Sequence, residues 1–350
     1  MRLLITGGAG FIGCNTAVAL MRRGDDVTIF DNLSRAGTED NLEWVRSSGP
    51  VELIQADVRD AEAVAGAVAR VRPEAVIHLA AQVAVTTSVV DPRTDFEINA
   101  LGTLNVLEAA RAAKDPPLLL FSSTNKVYGG LEDLTCTPAG RRYVCALSDR
   151  GVDESRALDF HSPYGCSKGA ADQYVHDYTR IYGLRTVVLR QSCIYGNRQF
   201  GIEEQGWLAW FTLAALMGRS ITVYGDGLQV RDVLEVGDLV RLYLLCVDRI
   251  DEVSGQILNV GGGPGNAVSI LESLELLEQI LGQKIQRDFA DWRPGDQRIF
   301  VACNEAAERR LGWQPEVDVH RGLQALVEWI RPNLELIRRR LPGGQAGSRT

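Results

Sequence analysis

The first half of the chain alternates short apolar runs with helically spaced ones. Residues 3–6 read as a buried strand and 11–23 as a helix. The beat repeats, with strands at 26–30 and 52–56, a helix rich in Ala at 61–70 and a buried strand at 75–79. A helix at 98–114, a strand at 118–122, a long helix at 163–182 and a strand at 186–190 follow. Such alternation predicts an α/β fold, a doubly wound parallel sheet covered on both faces, over residues 1–190. Beyond Arg190 the pattern breaks into shorter elements, among them 208–217, 221–224 and 271–281. Residues 191–335 are expected to form a smaller C-terminal lobe that could return a strand to the first domain. The basic, then Gly-, Pro- and Ser-rich segment 336–350 is expected to be a flexible tail.

Composition narrows the choice of partners. The 350 residues are 45% hydrophobic and carry a formal net charge of -8. That charge repels nucleic acid and anionic membranes, so neither is expected as a partner, and a phosphorylated ligand must be held by local donors. No run approaches the roughly 20 apolar residues of a membrane helix, and the N-terminal apolar run is too short for a signal peptide. The seven cysteines are scattered, odd in number and without a C-x-x-C pair. They predict reduced thiols in a cytoplasmic protein. The four histidines lack ligand spacing, so no metal site is expected.

Gly7-Gly8-Ala9-Gly10-Phe11-Ile12-Gly13 joins the first strand to the first helix with G-x-x-G-x-x-G spacing. Glycines there let the backbone turn tightly against a pyrophosphate, and the helix N-terminus offers free N–H groups and a positive dipole end. Asp31 ends the second strand, 18 residues after Gly13, where a carboxylate can accept from a ribose diol and repel a 2′-phosphate. NAD is therefore the expected cofactor, although nearby Arg35 is a residue that can accommodate a phosphate. Asp57-Val58 follows the third strand at the place for an adenine ring, or is simply a helix cap and a core residue. Leu79-Ala80-Ala81 closes the fourth strand with small residues, and His78 reads as a packed strand histidine.

Tyr164 and Lys168 stand at i, i+4 at the start of the long helix. A phenol is a poor base at neutral pH, and an adjacent ammonium together with the positive nicotinamide ring is expected to lower its pKa. The fifth strand ends in Ser122-Ser123-Thr124, whose hydroxyls can stabilise charge on a substrate oxygen.

These motifs together, T-G-G-x-G-F-I-G, S-S-x-x-V-Y-G and S-P-Y-x-x-S-K, resemble the extended short-chain dehydrogenase/reductase family of sugar-nucleotide epimerases, dehydratases and reductases, from Met1 to about Ile330. The resemblance implies a Rossmann-type fold, a Thr124–Tyr164–Lys168 triad, a supporting Asn99 and a homodimer. It also implies cofactor contacts from Gly7, Gly10, Phe11, Ile12, Gly13, Asp31, Asn32, Ser34, Arg35, Asp57, Val58, Leu79, Ala80, Ala81, Gln82, Asn99, Ser122, Tyr164, Lys168 and Gln191. For a nucleotide-sugar substrate it implies Thr87, Ser88, Thr124, Asn125, Lys126, Arg198, Gln199, Tyr224, Arg231, Arg293 and Asp296. Arg231 and Arg293 would clamp the diphosphate and Asp296 would hold the nucleoside ribose. Trp207 and Trp210 are expected either to stack on the base or to pack in the core.

The 4,6-dehydratases carry an acidic pair after the active-site Thr, where this chain has Asn125-Lys126. The 4-epimerases usually have a small apolar residue after the catalytic Ser and an Asn three residues past the Arg closing the sixth strand; here Cys193 stands there. The chain more closely resembles the branch that epimerises CDP-deoxyhexoses at C2. Two rivals remain from the sequence, a UDP-sugar 4-epimerase and a non-catalytic NAD-binding regulator. The intact Tyr164–Lys168 pair argues against the second.

Overall fold

A computed structural model describes residues 1–147, 149–293 and 295–341. The strands are β1 (Arg2–Thr6), β2 (Asp26–Asp31), β3 (Glu52–Gln55), β4 (Ala75–His78), β5 (Leu118–Thr124), β6 (Cys136–Ala139), β7 (Arg142–Cys145) and β8 (Thr186–Gln191). They continue as β9 (Cys193–Tyr195), β10 (Ile221–Tyr224), β11 (Val230–Glu235), β12 (Gln256–Val260), β13 (Ala267–Ser269), β14 (Arg287–Ala290) and β15 (Ile299–Phe300). The helices are α1 (Phe11–Arg23), α2 (Thr38–Ser48), α3 (Ala61–Val71), α4 (Val85–Val90), α5 (Pro92–Phe96), α6 (Gly102–Ala112) and α7 (Ser162–Tyr182). After them come α8 (Trp207–Leu216), α9 (Val236–Asp248), α10 (Ile250–Val253), α11 (Ile270–Leu281), α12 (Glu305–Leu311) and α13 (Val319–Arg340).

Seven parallel strands form the central sheet in the order β12-β8-β5-β4-β1-β2-β3. Strands β1, β4, β5 and β8 are buried almost throughout, as a sheet covered on both faces demands. Helices α1 and α9 close one face around Leu3, Ile5, Leu189, Leu242 and Tyr243. Helices α3, α6 and α7 close the other around Leu4, Val76, Phe121, Val106 and Val175. The strand order reverses between β1 and β4, and ligands of such sheets bind at the carboxyl ends beside that reversal. A second core, built by α8, α11 and α13, holds Leu213, Leu274 and Leu326. Trp207 and Trp210 pack against it, Trp207 edge-on to Phe211 at 5.5 Å.

Three expectations are corrected. Residues 98–114 are not one continuous α-helix: a π-turn over Glu97–Leu101 precedes α6, and the helix stops at Ala112. The start of the expected tail is ordered helix, because Ile337 is buried in the lobe core and Arg340 bonds Asp40 of α2 at 2.8 Å; residues 342–350 lie outside the described residues. The cysteines are not all free thiols, since Cys136 and Cys145 face each other across the β6–β7 hairpin and form a disulfide. No described helix is long and apolar enough to cross a membrane, and no group of three or more described His, Cys, Asp or Glu side chains is placed to hold a metal ion.

Candidate active site

One cavity opens at the carboxyl ends of the central strands. It is lined by Gly7, Gly10, Phe11, Ile12 and Gly13 after β1, by Asp31, Asn32, Ser34 and Arg35 after β2, and by Asp57 and Val58 after β3. Leu79, Ala80 and Ala81 after β4, Ser122 of β5, and Tyr164 and Lys168 of α7 complete the set. The turn is shaped as a cradle. A Cβ on Gly7, at φ +70°, would lie 2.7 Å from the Ala80 nitrogen, and one on Gly13 would lie 2.2 Å from the Gly7 carbonyl oxygen. Only glycine lets the loop, the helix start and the β4 loop close around a bound pyrophosphate. Asp31 Oδ2 accepts from Ala9 N (3.0 Å) and Oδ1 from Leu33 N (2.8 Å), which fixes the carboxylate with a second acceptor site left on each oxygen. Burial pushes its pKa up, against those two bonds and the charge of Arg35. Asp57 sits at the rim, held down to about 2 by Arg59 and by Asn32. These residues fit a dinucleotide whose ribose diol meets Asp31.

The catalytic groups converge where β5 meets α7. Pro163 opens the helix, and Tyr164 N donates to Ser88 Oγ at 3.1 Å. The Tyr164 phenol is buried, which pushes its pKa up to about 12; a hydrogen bond from Thr124 and the charge of Arg35 act the other way. Lys168 Nζ donates to the Ser122 carbonyl at 2.5 Å and lies 4.1 Å from the centre of the Phe121 ring. Burial takes its pKa down to about 7. In the protein without its cofactor, burial dominates the phenol and the lysine is turned to a carbonyl. His78 is a packed strand histidine, bonded to Thr6 and Thr103 hydroxyls at 2.6 and 2.9 Å and pushed by burial to about 3.

Several expected contacts have other positions. Gln82, Asn99 and Gln191 stand behind the cavity wall. Asn99 is spent on Gln82 N and O, Asp95 and Ser167, and Gln191 Nε2 on Tyr243. Ser88 is fully buried and caps α7 rather than facing a ligand, and Thr87 points to solvent. Arg198 and Gln199 line the cofactor cavity itself. They belong to a strap, residues 197–206, that forms part of the cavity wall through Arg198, Gln199, Phe200, Gly201 and Gln205. Arg198 lies 4.3 Å from the centre of the Trp44 ring on α2 and 6.0 Å from that of Trp329 on α13, and Arg35 reaches across to Gln205.

The other expected substrate residues form a second polar cluster. Arg231 donates to Asp296 Oδ1 and to the Gln297 carbonyl, both at 2.6 Å. Lys126 Nζ donates to Gln297 Oε1 at 3.1 Å. Burial pushes the Lys126 pKa down to about 8, with Arg231 adding to the effect. Burial would raise Asp296, but Arg231 and Lys126 outweigh it and hold its pKa low. Arg293 stacks on Tyr224 at 3.9 Å. Arg231 and Lys126 thus bring two cations to one carboxylate, a local concentration of positive charge of the kind that suits an anionic ligand group. Thr124 and Asn125 are buried at the end of β5 between this cluster and Tyr164, with Thr124 Oγ1 accepting from Lys126 N at 3.2 Å.

The sequence profile of the NAD dependent epimerase/dehydratase family matches residues 3–261. The chain belongs to that family. NAD is its cofactor. It is 44% identical over 334 residues to a CDP-paratose 2-epimerase of Salmonella typhi, an alignment covering 94% of this chain and 99% of the relative. The fold superposes with a TM-score of 0.82 on the UDP-glucose 4-epimerase of Thermotoga maritima solved with UDP-glucose, at 32% identity over 95% of this chain and 100% of that one. The UDP-glucose 4-epimerase of Thermus thermophilus, solved as a complex with NAD, gives 0.80 at 34% identity over 95% and 99%.

In this family member the sequence motifs miss part of the cavity. Thr38 and Asn41 of α2, Ile98 of the π-turn, and Phe200, Gly201 and Gln205 of the strap also line it. Ile98 falls in the segment read as a plain helix, and Thr38, Asn41 and the strap lie outside the motifs, so the one available signal was the position of the strap just past the central-sheet motifs. Gln297, fully buried at the hub of the second cluster, stands next to Asp296 in the sequence but was given no role by the resemblance.

Proposed function

We propose that the chain epimerises a CDP-activated deoxyhexose at C2, as a CDP-paratose/CDP-tyvelose type epimerase. The observation that carries this is the match to a CDP-paratose 2-epimerase along nearly the whole of both chains, with Asn125-Lys126 beside Thr124 rather than an acidic pair. Bound NAD supplies the hydride acceptor and donor, and its positive ring favours the phenolate. Tyr164 takes the proton from the sugar hydroxyl and later returns it. Thr124 donates to the same oxygen and steadies its developing charge. Lys168 holds the Tyr164 end of the site in a positive field, while Arg231, Arg293 and Lys126 hold the diphosphate so that only the sugar can turn. Asp296 is placed to take the nucleoside ribose. The assembly we propose is a homodimer, and a cytoplasmic setting fits an enzyme fed by NAD and nucleotide sugars.

The deciding experiment follows the carbon that reacts. CDP-sugar deuterated at C2 is expected to show a primary kinetic isotope effect and C4-deuterated substrate none. The reverse pattern, as in the UDP-glucose 4-epimerases the chain also resembles, would discard the C2 reading and leave the cofactor and the triad in place.

A further inference from the structure

Asp95 is a buried carboxylate that no motif includes. It sits on α5 and is 1% exposed. Its Oδ1 accepts from Gln82 Nε2 (2.8 Å) and Asn99 Nδ2 (3.1 Å), and its Oδ2 from Ser167 Oγ (2.5 Å). These donors are all neutral. A buried carboxylate without a contacting cation is costly, by several kcal/mol before relaxation, so it is rarely kept without use. The three donors belong to three different parts of the site. Gln82 is in the loop after β4, whose Ala80 and Ala81 line the cofactor cavity; Asn99 is in the π-turn. Ser167 is on α7 between Tyr164 and Lys168 and also bonds the Tyr164 carbonyl at 3.2 Å.

Charge gives the carboxylate a second use. The Lys168 ammonium is held by a carbonyl and a ring, not by a carboxylate. The two acids that favour its charged form are Asp172 and Asp95. Asp172 is already committed to Arg190 through two bonds of 2.8 and 2.9 Å, buried on both sides. Asp95 is the acid left to balance Lys168. The other ionisable groups facing this region are Tyr164 on α7, Arg35 across the cavity, and His78 on β4, which is neutral. On α5 itself, Arg93 points to solvent and pairs with Glu97.

We infer that Asp95 is a positioning residue for the Tyr164–Lys168 pair, tying α7 to the cofactor loop through Ser167, Asn99 and Gln82 and supplying the negative charge opposite Lys168. This rests on the reading of Tyr164 and Lys168 as the proton-handling pair. The test uses the NAD-loaded protein without substrate. Tyr164 ionisation is read as the ultraviolet difference between each protein and its Tyr164→Phe counterpart. Asp95→Asn should lower the Tyr164 midpoint by about one pH unit, the scale of one charge within about 10 Å at an effective dielectric of about 20. A folded Asp95→Asn protein with an unmoved midpoint overturns the electrostatic role. Ser167→Ala keeps the charge and unhooks the helix. It should leave the midpoint in place and lower turnover several-fold, whereas wild-type turnover would overturn the anchoring role and carry the decision if Asp95→Asn does not fold. Should the wild-type protein turn over no CDP-sugar, the functional reading fails, while the titration still decides the role of the carboxylate.

Discussion

At the scale of single residues, the site works by desolvation as much as by charge. Tyr164 is the clearest case: burial outweighs the Thr124 hydrogen bond and the Arg35 charge and pushes its phenol up to about 12, so a positive charge brought by the ligand would favour its acting as a base. Tyr164→Phe should lower turnover by roughly 10²- to 10⁴-fold, the usual worth of a positioned general base, with NAD content after gel filtration unchanged. Turnover near wild type would remove the tyrosine from the mechanism. Lys126 makes a pH prediction. Its folded pKa, about 8, lies below the ordinary lysine value of 10.5, so between these the unfolded chain binds more protons than the folded one. Its contribution to stability is present above pH 10.5 and is lost as pH falls through 8. Urea unfolding of wild type should therefore gain stability from pH 8 towards 10 relative to Lys126→Met, and equal slopes for the two proteins would show that the lysine is solvated.

At the scale of elements, the motifs were legible because each combines a residue type with a local geometry. The glycine turn between β1 and α1, Asp31 at the end of β2 and the i, i+4 pair of Tyr164 and Lys168 on α7 are each local to one turn, strand end or helix, so spacing alone locates them. Contacts made by tertiary folding were not legible. Ser88 reads as a hydroxyl near the site, yet its partner is the Tyr164 amide 76 residues away. Asp95 lies in a five-residue helix with no periodicity of its own. Cys136 and Cys145 are linked because the β6–β7 hairpin brings them opposite each other, while sequence spacing gave no such signal. The strap is the element with the most to test. Its Arg198 side chain is held against Trp44, which does not itself line the cavity. Trp44→Ala should speed NAD release roughly 2- to 5-fold, the scale of one partly exposed cation–π contact. Stopped-flow displacement of bound NAD reads this directly, and an unchanged off-rate would leave the strap no part in holding the cofactor.

At the scale of the whole molecule, the two cores share one site. Strand β12 and helix α9 come from beyond residue 190 yet complete the central sheet and its cover. The strap and α13 bring the second core against α2 through Arg198 and the Arg340–Asp40 pair. The alternating pattern predicts the first layer. It does not carry this interlock, because later elements join the sheet by long-range contact. What the interlock leaves uncovered is an apolar face beside the catalytic helix. Tyr174, Ile181 and Tyr182 of α7 are 51%, 64% and 51% exposed, and Phe96 and Leu101, just before α6, are 54% and 38% exposed. Tyr182 and Tyr178 pack edge to face at 4.8 Å, so this face is a formed aromatic surface rather than loose side chains. Helices α6 and α7 pack against each other, so two copies related by a two-fold axis would bury the face as a four-helix layer. Light scattering at micromolar concentration should give twice the chain mass. Ile181→Glu should shift the protein towards monomer, because a carboxylate placed at a two-fold contact meets its own copy. A wild-type protein that is monomeric under these conditions, with its NAD still bound, would show that one chain alone completes the site.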